Sequence, residues 1–170
     1  EVLNFDGETG PYVQYTHARA CSVLRKAAAG NTNKAGGSNT SETATGHAGK
    51  AEDSNTGEAG GGFAAILSNG MAATADIDSS LLSSEEEYRL VKTLSAFPEK
   101  VKQALDDLEP SVLTRYLIEV ARNFNRFYHE HSILGNEEAL RNARLALVAA
   151  TRTVLATGLR LIGLHAPEKV

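Results

Sequence analysis

A single cysteine, Cys21, excludes a disulfide within the chain and fits a reducing, cytoplasmic setting. Long apolar runs are missing: none approaches the roughly 20 residues that span a bilayer, so no membrane partner is expected. The first residues, Glu1-Val2-Leu3-Asn4, have neither a Met nor a basic n-region. They do not read as a signal peptide and suggest a chain cut from a longer protein. There is no H-x-x-x-H and no C-x-x-C, the commonest short metal spacings. Sustained period-2 alternation is absent too, and β-branched residues do not gather into strand-length runs, which leaves helix. What is present is 42% hydrophobic and 22% charged residues over 170 positions, enough for one domain with a sizeable core.

Acid is unevenly spread. The net charge is −4, yet residues 11–27 carry Arg19, Arg25 and Lys26 and no acid. Residues 28–110 hold 6 basic against 13 acidic side chains, and residues 111–170 hold 8 against 5. The local field therefore matters more than the total. Ten of the 15 glycines fall between Gly30 and Gly70, in Gly/Ser/Thr/Asn/Ala sequence almost free of large apolar residues. Such a stretch buries too little to offset its ordering entropy, so 29–83 reads as a flexible low-complexity insertion.

Helix signals fill the rest. Gly10-Pro11 opens a first helix. Ser84 before Glu85-Glu86-Glu87 is an N-cap with acids in the first turn, and that helix runs to Pro98. Pro98 opens the next, Pro110 opens a longer one over 111–131, and Gly135-Asn136 precedes a last helix from Glu137 to Ile162, with Gly163 as C-cap. In the last helix Ala143, Leu147, Ala150, Val154, Gly158 and Leu161 form one apolar stripe, and Leu145, Val148, Leu155 and Leu159 another. A helix apolar nearly all round belongs inside a bundle. The fold class is all-α, a helical bundle with its insertion after the first helix.

Catalytic patterns are poor. His17 and Cys21 are i,i+4 on the first helix, but no further ligands are spaced to complete a metal site; they read as a packed histidine and a core-edge cysteine. His129 and His131 point to different sides of a helix, and His131 reads as core-edge packing. No base or oxyanion pocket accompanies the thiol. "DGETG" (6–10) lacks a Walker lysine and reads as a turn. No catalytic residue, metal or cofactor is assigned to this chain.

The opening helix is richer. At about 100° per residue, Tyr12, Tyr15, Arg19, Ser22 and Lys26 fall within about 80° of one another, beside an apolar stripe of Val13, His17, Ala20, Leu24 and Ala27. Two rings and two cations without an acid suit single-stranded RNA, where tyrosines stack on bases and arginine meets phosphate. The same tyrosines could instead lie on the bundle with only their hydroxyls wet. Residue types leave both readings open.

Three blocks carry a resemblance: "FDGETGPYVQYTHARACSVLRKA" (5–27), "EPSVLTRYLIEVARNFNRFYHEHSIL" (109–134) and "NARLALVAATRTVLATGLRLIGLHAPEKV" (142–170). Together they resemble the DALR anticodon-binding domain at the C-terminal end of arginyl-tRNA synthetases. The resemblance implies a single anticodon-binding domain over 1–170, with 1–10 the tail end of a preceding catalytic domain. It implies a parent enzyme that attaches arginine to tRNA(Arg) using ATP with Mg. The class I catalytic signatures, the H-I-G-H and Lys-Met-Ser-Lys-Ser types, are absent here, so the chain alone is expected to be inactive. The family's P-Y-x-Q-Y-x-x-x-R helix, which contacts the anticodon loop, maps onto Tyr12, Tyr15 and Arg19. Val170 stands where the family usually ends in methionine near the anticodon, and the insertion departs from the compact family connection. The expected partners are the tRNA(Arg) anticodon stem-loop and the enzyme's own catalytic domain, with no DNA. Ser22, Lys26, Arg141 and Arg152 are weaker RNA-contact candidates. The alternative is a helical protein–protein interaction or scaffold domain without RNA binding.

Overall fold

Breakers and caps set the helix ends. The computed structural model describes residues 10–32 and 78–169; residues 1–9, 33–77 and 170 lie outside the described residues. Those described form five helices and one 3-10 turn, with no strand among them: α1 (Gly10–Thr32), the turn Ser79–Leu81, α2 (Glu85–Ser95), α3 (Phe97–Asp106), α4 (Pro110–Glu130) and α5 (Glu138–Leu161). The all-α bundle expected from periodicity is what is found. At the two ends of the expected insertion, 29–83, α1 continues past residue 29 to Thr32, and 79–81 turn against α5. Most of 29–83 lies outside the described residues, as does the proposed 1–10 tail except Gly10, which already begins α1.

Ser84 caps α2 as expected. Its hydroxyl accepts from the Glu87 N–H at 3.2 Å, and the Glu87 carboxylate accepts from the Ser84 N–H at 3.0 Å, a reciprocal capping box. Glu87 is only 1% exposed, and Arg144 of α5 donates to its other oxygen at 2.7 Å. Burial pushes the Glu87 carboxyl up, but the Ser84 and Arg144 hydrogen bonds outweigh it and hold the group below its usual range. His131 packs tilted against Phe127 at the end of α4, with Ser84 Oγ 3.0 Å from its Nε2.

Two helix ends use the same C-cap. After α5, Gly163 (φ 76°) lets the Leu164 N–H reach the Leu159 carbonyl at 2.8 Å and its own N–H reach Arg160 at 3.1 Å. After α3, Leu108 takes that left-handed position (φ 53°), with the Glu109 N–H on the Ala104 carbonyl at 3.0 Å. Both are Schellman turns, one of them made with a residue that disfavours it.

α4 lies at the middle, touching α1, α2, α3 and α5, while α5 lies along α1. One apolar cluster joins Leu24, Leu90, Phe124, Phe127, Leu145 and Val148; the other joins Val13, Tyr116, Leu117, Val120, Leu155 and Leu159. Each fully buried side chain of this size contributes about 1.5–3 kcal/mol. The stripe read on α5 is partly wrong. Ala143, Leu147 and Gly158 are buried, but Ala150 and Leu161 face outward, because α1 and α4 cover the Leu145, Leu155 and Leu159 side instead. No described helix is long and apolar enough to cross a membrane.

Candidate nucleic-acid interface

α1 divides by face. Val13, Thr16, His17, Ala18, Ala20, Cys21, Val23 and Leu24 are buried against α4 and α5, whereas Arg19, Arg25 and Lys26 are exposed. The two tyrosines split between the readings that residue types left open. Tyr15 is 58% exposed, while the Tyr12 ring packs against the second cluster with its hydroxyl at the surface of a groove.

That groove holds about 720 Å³ and is lined by Tyr12, Tyr15, Arg19, Ser22, Arg25 and Lys169, with no acidic side chain among the described residues of its wall. Four members of the predicted stripe thus share one concavity. The fifth, Lys26, lies in an adjoining depression of about 440 Å³ that shares Arg19 and Ser22 and adds Tyr128 and His129. The Arg19 guanidinium sits 5.4 Å from the centre of the Tyr128 ring, a cation–π distance that keeps it beside the groove.

Asn125 of α4, which sequence reasoning missed, ties the stripe together. Its Oδ1 accepts from Arg19 Nη1 at 2.5 Å, and its Nδ2 donates to Tyr12 Oη and Thr16 Oγ1, each at 3.0 Å. Periodicity puts Asn125 between the Phe124 core position and the exposed Arg126, where a polar residue reads as solvated. Only the pairing of α4 with α1 reveals its role.

Beyond Gly163 the chain turns back along α1, and three α1 side chains meet its carbonyls. Gln14 Nε2 donates to His165 at 2.7 Å, the His17 ring bonds Pro167 at 2.8 Å, and Arg25 donates to Glu168 at 3.0 Å. A carbonyl only accepts, so His17 Nδ1 carries the proton. Burial pulls the His17 pKa below 6.5, against the Pro167 bond and with help from Arg152. Cys21 Sγ lies 3.8 Å from His17 Nε2, and burial pushes its thiol up from 9.0. Both shifts favour neutral partners, the reverse of an activated thiolate–imidazolium pair. Among the described residues no group of three or more His, Cys, Asp or Glu is placed to hold a metal.

The tail delivers Lys169 into the groove; Val170 lies outside the described residues. Arg152 does not join the stripe. It lines a separate cleft of about 570 Å³ with His17, Cys21, Arg160 and His165, across α1 from Tyr15. Arg141 sits in the first turn of α5, 3.9 Å from Glu138, and is not among the groove's lining residues. Arg115 is likewise 3.9 Å from Glu109.

Comparison with known proteins identifies the family. A family model described as "DALR anticodon binding domain" matches residues 64–170. Arginine–tRNA ligases of Clostridioides difficile and Clostridium beijerinckii are 37% and 40% identical over 99% and 100% of the chain. The solved arginyl-tRNA synthetase of Thermus thermophilus is 31% identical over 99% of the chain, with a TM-score of 0.63. The chain spans only 22–23% of the length of these relatives. With a match across more than half its residues onto a bundle of this architecture, the chain belongs to the DALR anticodon-binding domain family.

Proposed function

We propose that this chain is the anticodon-binding part of an arginine–tRNA ligase, and that the α1 groove receives the anticodon loop of tRNA(Arg). The observation that carries the reading is the concavity, free of acidic side chains among the described residues, in which exposed Tyr15, Tyr12, Arg19, Arg25 and Lys169 converge. Tyr15 offers a free ring for stacking, Arg19 and its cationic neighbours attract phosphate, and hydroxyls remain for base edges. Val170, which the family resemblance would bring toward the anticodon, lies outside the described residues. The parent enzyme attaches arginine to tRNA(Arg) in the cytoplasm. Its ATP and Mg chemistry belongs to a catalytic domain whose signatures this sequence lacks, and no residue here is assigned to it. A scaffold domain without RNA binding would leave an acid-free aromatic and basic groove unexplained.

The test is titration of a labelled tRNA(Arg) anticodon stem-loop with the 170-residue chain. One base–aromatic stack is worth about 1–3 kcal/mol, so Tyr15→Ala is expected to weaken binding by roughly 5- to 150-fold with helicity unchanged. Arg19→Ala should weaken it as well. Unaltered binding in both variants at fixed salt would sink the site assignment.

A further inference from the structure

The hydrogen bonds around Asn125 have only one consistent direction. Arg19 carries donors and no acceptor, so it must face the amide oxygen. Thr16 Oγ1 donates its proton to the Tyr12 carbonyl at 2.9 Å, so toward Asn125 it accepts, and it must face the amide nitrogen. Two independent partners thus fix the amide, and its second N–H goes to Tyr12 Oη at 3.0 Å. The Tyr12 hydroxyl therefore accepts from the protein and keeps its own proton, which has no acceptor among the described residues.

We propose that Asn125 is a positioning residue that sets the polarity of Tyr12: it makes the hydroxyl a hydrogen-bond donor aimed into the groove, where it reads an acceptor atom on the edge of an RNA base. The proposal rests on the RNA-binding reading above and deepens it. The acceptor is a base carbonyl oxygen or ring nitrogen rather than a phosphate, because the groove already supplies Arg19, Arg25 and Lys169 for phosphate. Tyr12 itself is half-buried, so a flat base inserted beside Tyr15 reaches it more readily than the backbone does. An aspartate at position 125 reverses the polarity. Its carboxylate still accepts from Arg19 but cannot donate, so Tyr12 spends its proton on the carboxylate and turns lone pairs to the groove.

The experiment is a double-mutant cycle between protein and RNA. Wild type, Tyr12→Phe, Asn125→Asp and Asn125→Ala are each titrated against the anticodon stem-loop and against stem-loops in which single base acceptors are deleted. One deletion is expected to weaken wild type by about 3- to 10-fold, the contribution of one hydrogen bond, and to leave Tyr12→Phe and Asn125→Asp unaffected relative to the unmodified loop. Ratios between stem-loops cancel the general cost of the added negative charge, and thermal melts report the fold. Should Asn125→Asp or Asn125→Ala fail to fold, Tyr12→Phe, which removes one oxygen, carries the cycle alone. Identical acceptor ratios in wild type and Tyr12→Phe at every loop position would overturn the proposal. So would a wild type that binds the stem-loop no better than Tyr12→Phe does. A wild type that does not bind the stem-loop at all overturns the RNA-binding reading first.

Discussion

Leu108 occupies a position that glycine fills elsewhere in the same molecule. At φ 53° it closes the turn after α3, while its side chain is 84% exposed and packs on little. Left-handed backbone costs a residue with a Cβ about 1–2 kcal/mol. Leu108→Gly is therefore expected to raise stability by about 1 kcal/mol despite the freer unfolded chain, read as a higher urea midpoint. His17 supplies a pH effect whose sign is fixed by its burial. Its folded pKa lies below 6.5, so as pH falls through about 6.5 the unfolded state takes up the proton first and stability drops. Above that pH both states are neutral at this site and nothing is lost. His17→Gln keeps an N–H for the Pro167 carbonyl and should show a shallower loss between pH 7.5 and 5.5 in denaturant titrations. An equal slope would mean that the imidazole is not held neutral.

At the level of helices, the close approach of α4 and α5 depends on Gly158. A Cβ there would lie 2.3 Å from Leu117 Cδ2 and 3.0 and 3.1 Å from two more atoms of that fully buried side chain. Alanine favours helix by about 1 kcal/mol over glycine, but overpacking costs about 1–3 kcal/mol. Gly158→Ala is expected to destabilise by about 1 kcal/mol net, and Leu117→Ala should lose less in its presence than alone. Helix ends were legible because Ser84, Pro98, Pro110 and Gly163 act locally, whatever the tertiary setting. The buried side of α5 was not: with apolar residues all round, periodicity could not tell that Ala150 and Leu161 face out. Asn125 was illegible for a related reason. Its partners are 106 to 113 residues away on α1, and its own helix gives no hint of them.

For the molecule as a whole, sign segregation matters more than net charge. The chain carries −4, yet Arg19, Arg25, Lys26 and Lys169 gather on one side of α1. Each phosphate neutralised on a single strand contributes about −0.7 to the slope of log affinity against log salt. Lys169→Ala should flatten that slope by about 0.7 while sparing discrimination between loop sequences. The stripe itself was legible in the sequence; its closure into a groove was not, because Lys169 arrives from the far end of the chain. That arrival has a consequence for synthesis. Gln14, His17 and Arg25 emerge well before the carbonyls they bind, at His165, Pro167 and Glu168. α1 must wait for 143 to 151 further residues before these bonds can form. A translation product that stops short of His165 carries every residue of the aromatic stripe but not Lys169, and so lacks one wall of the cleft.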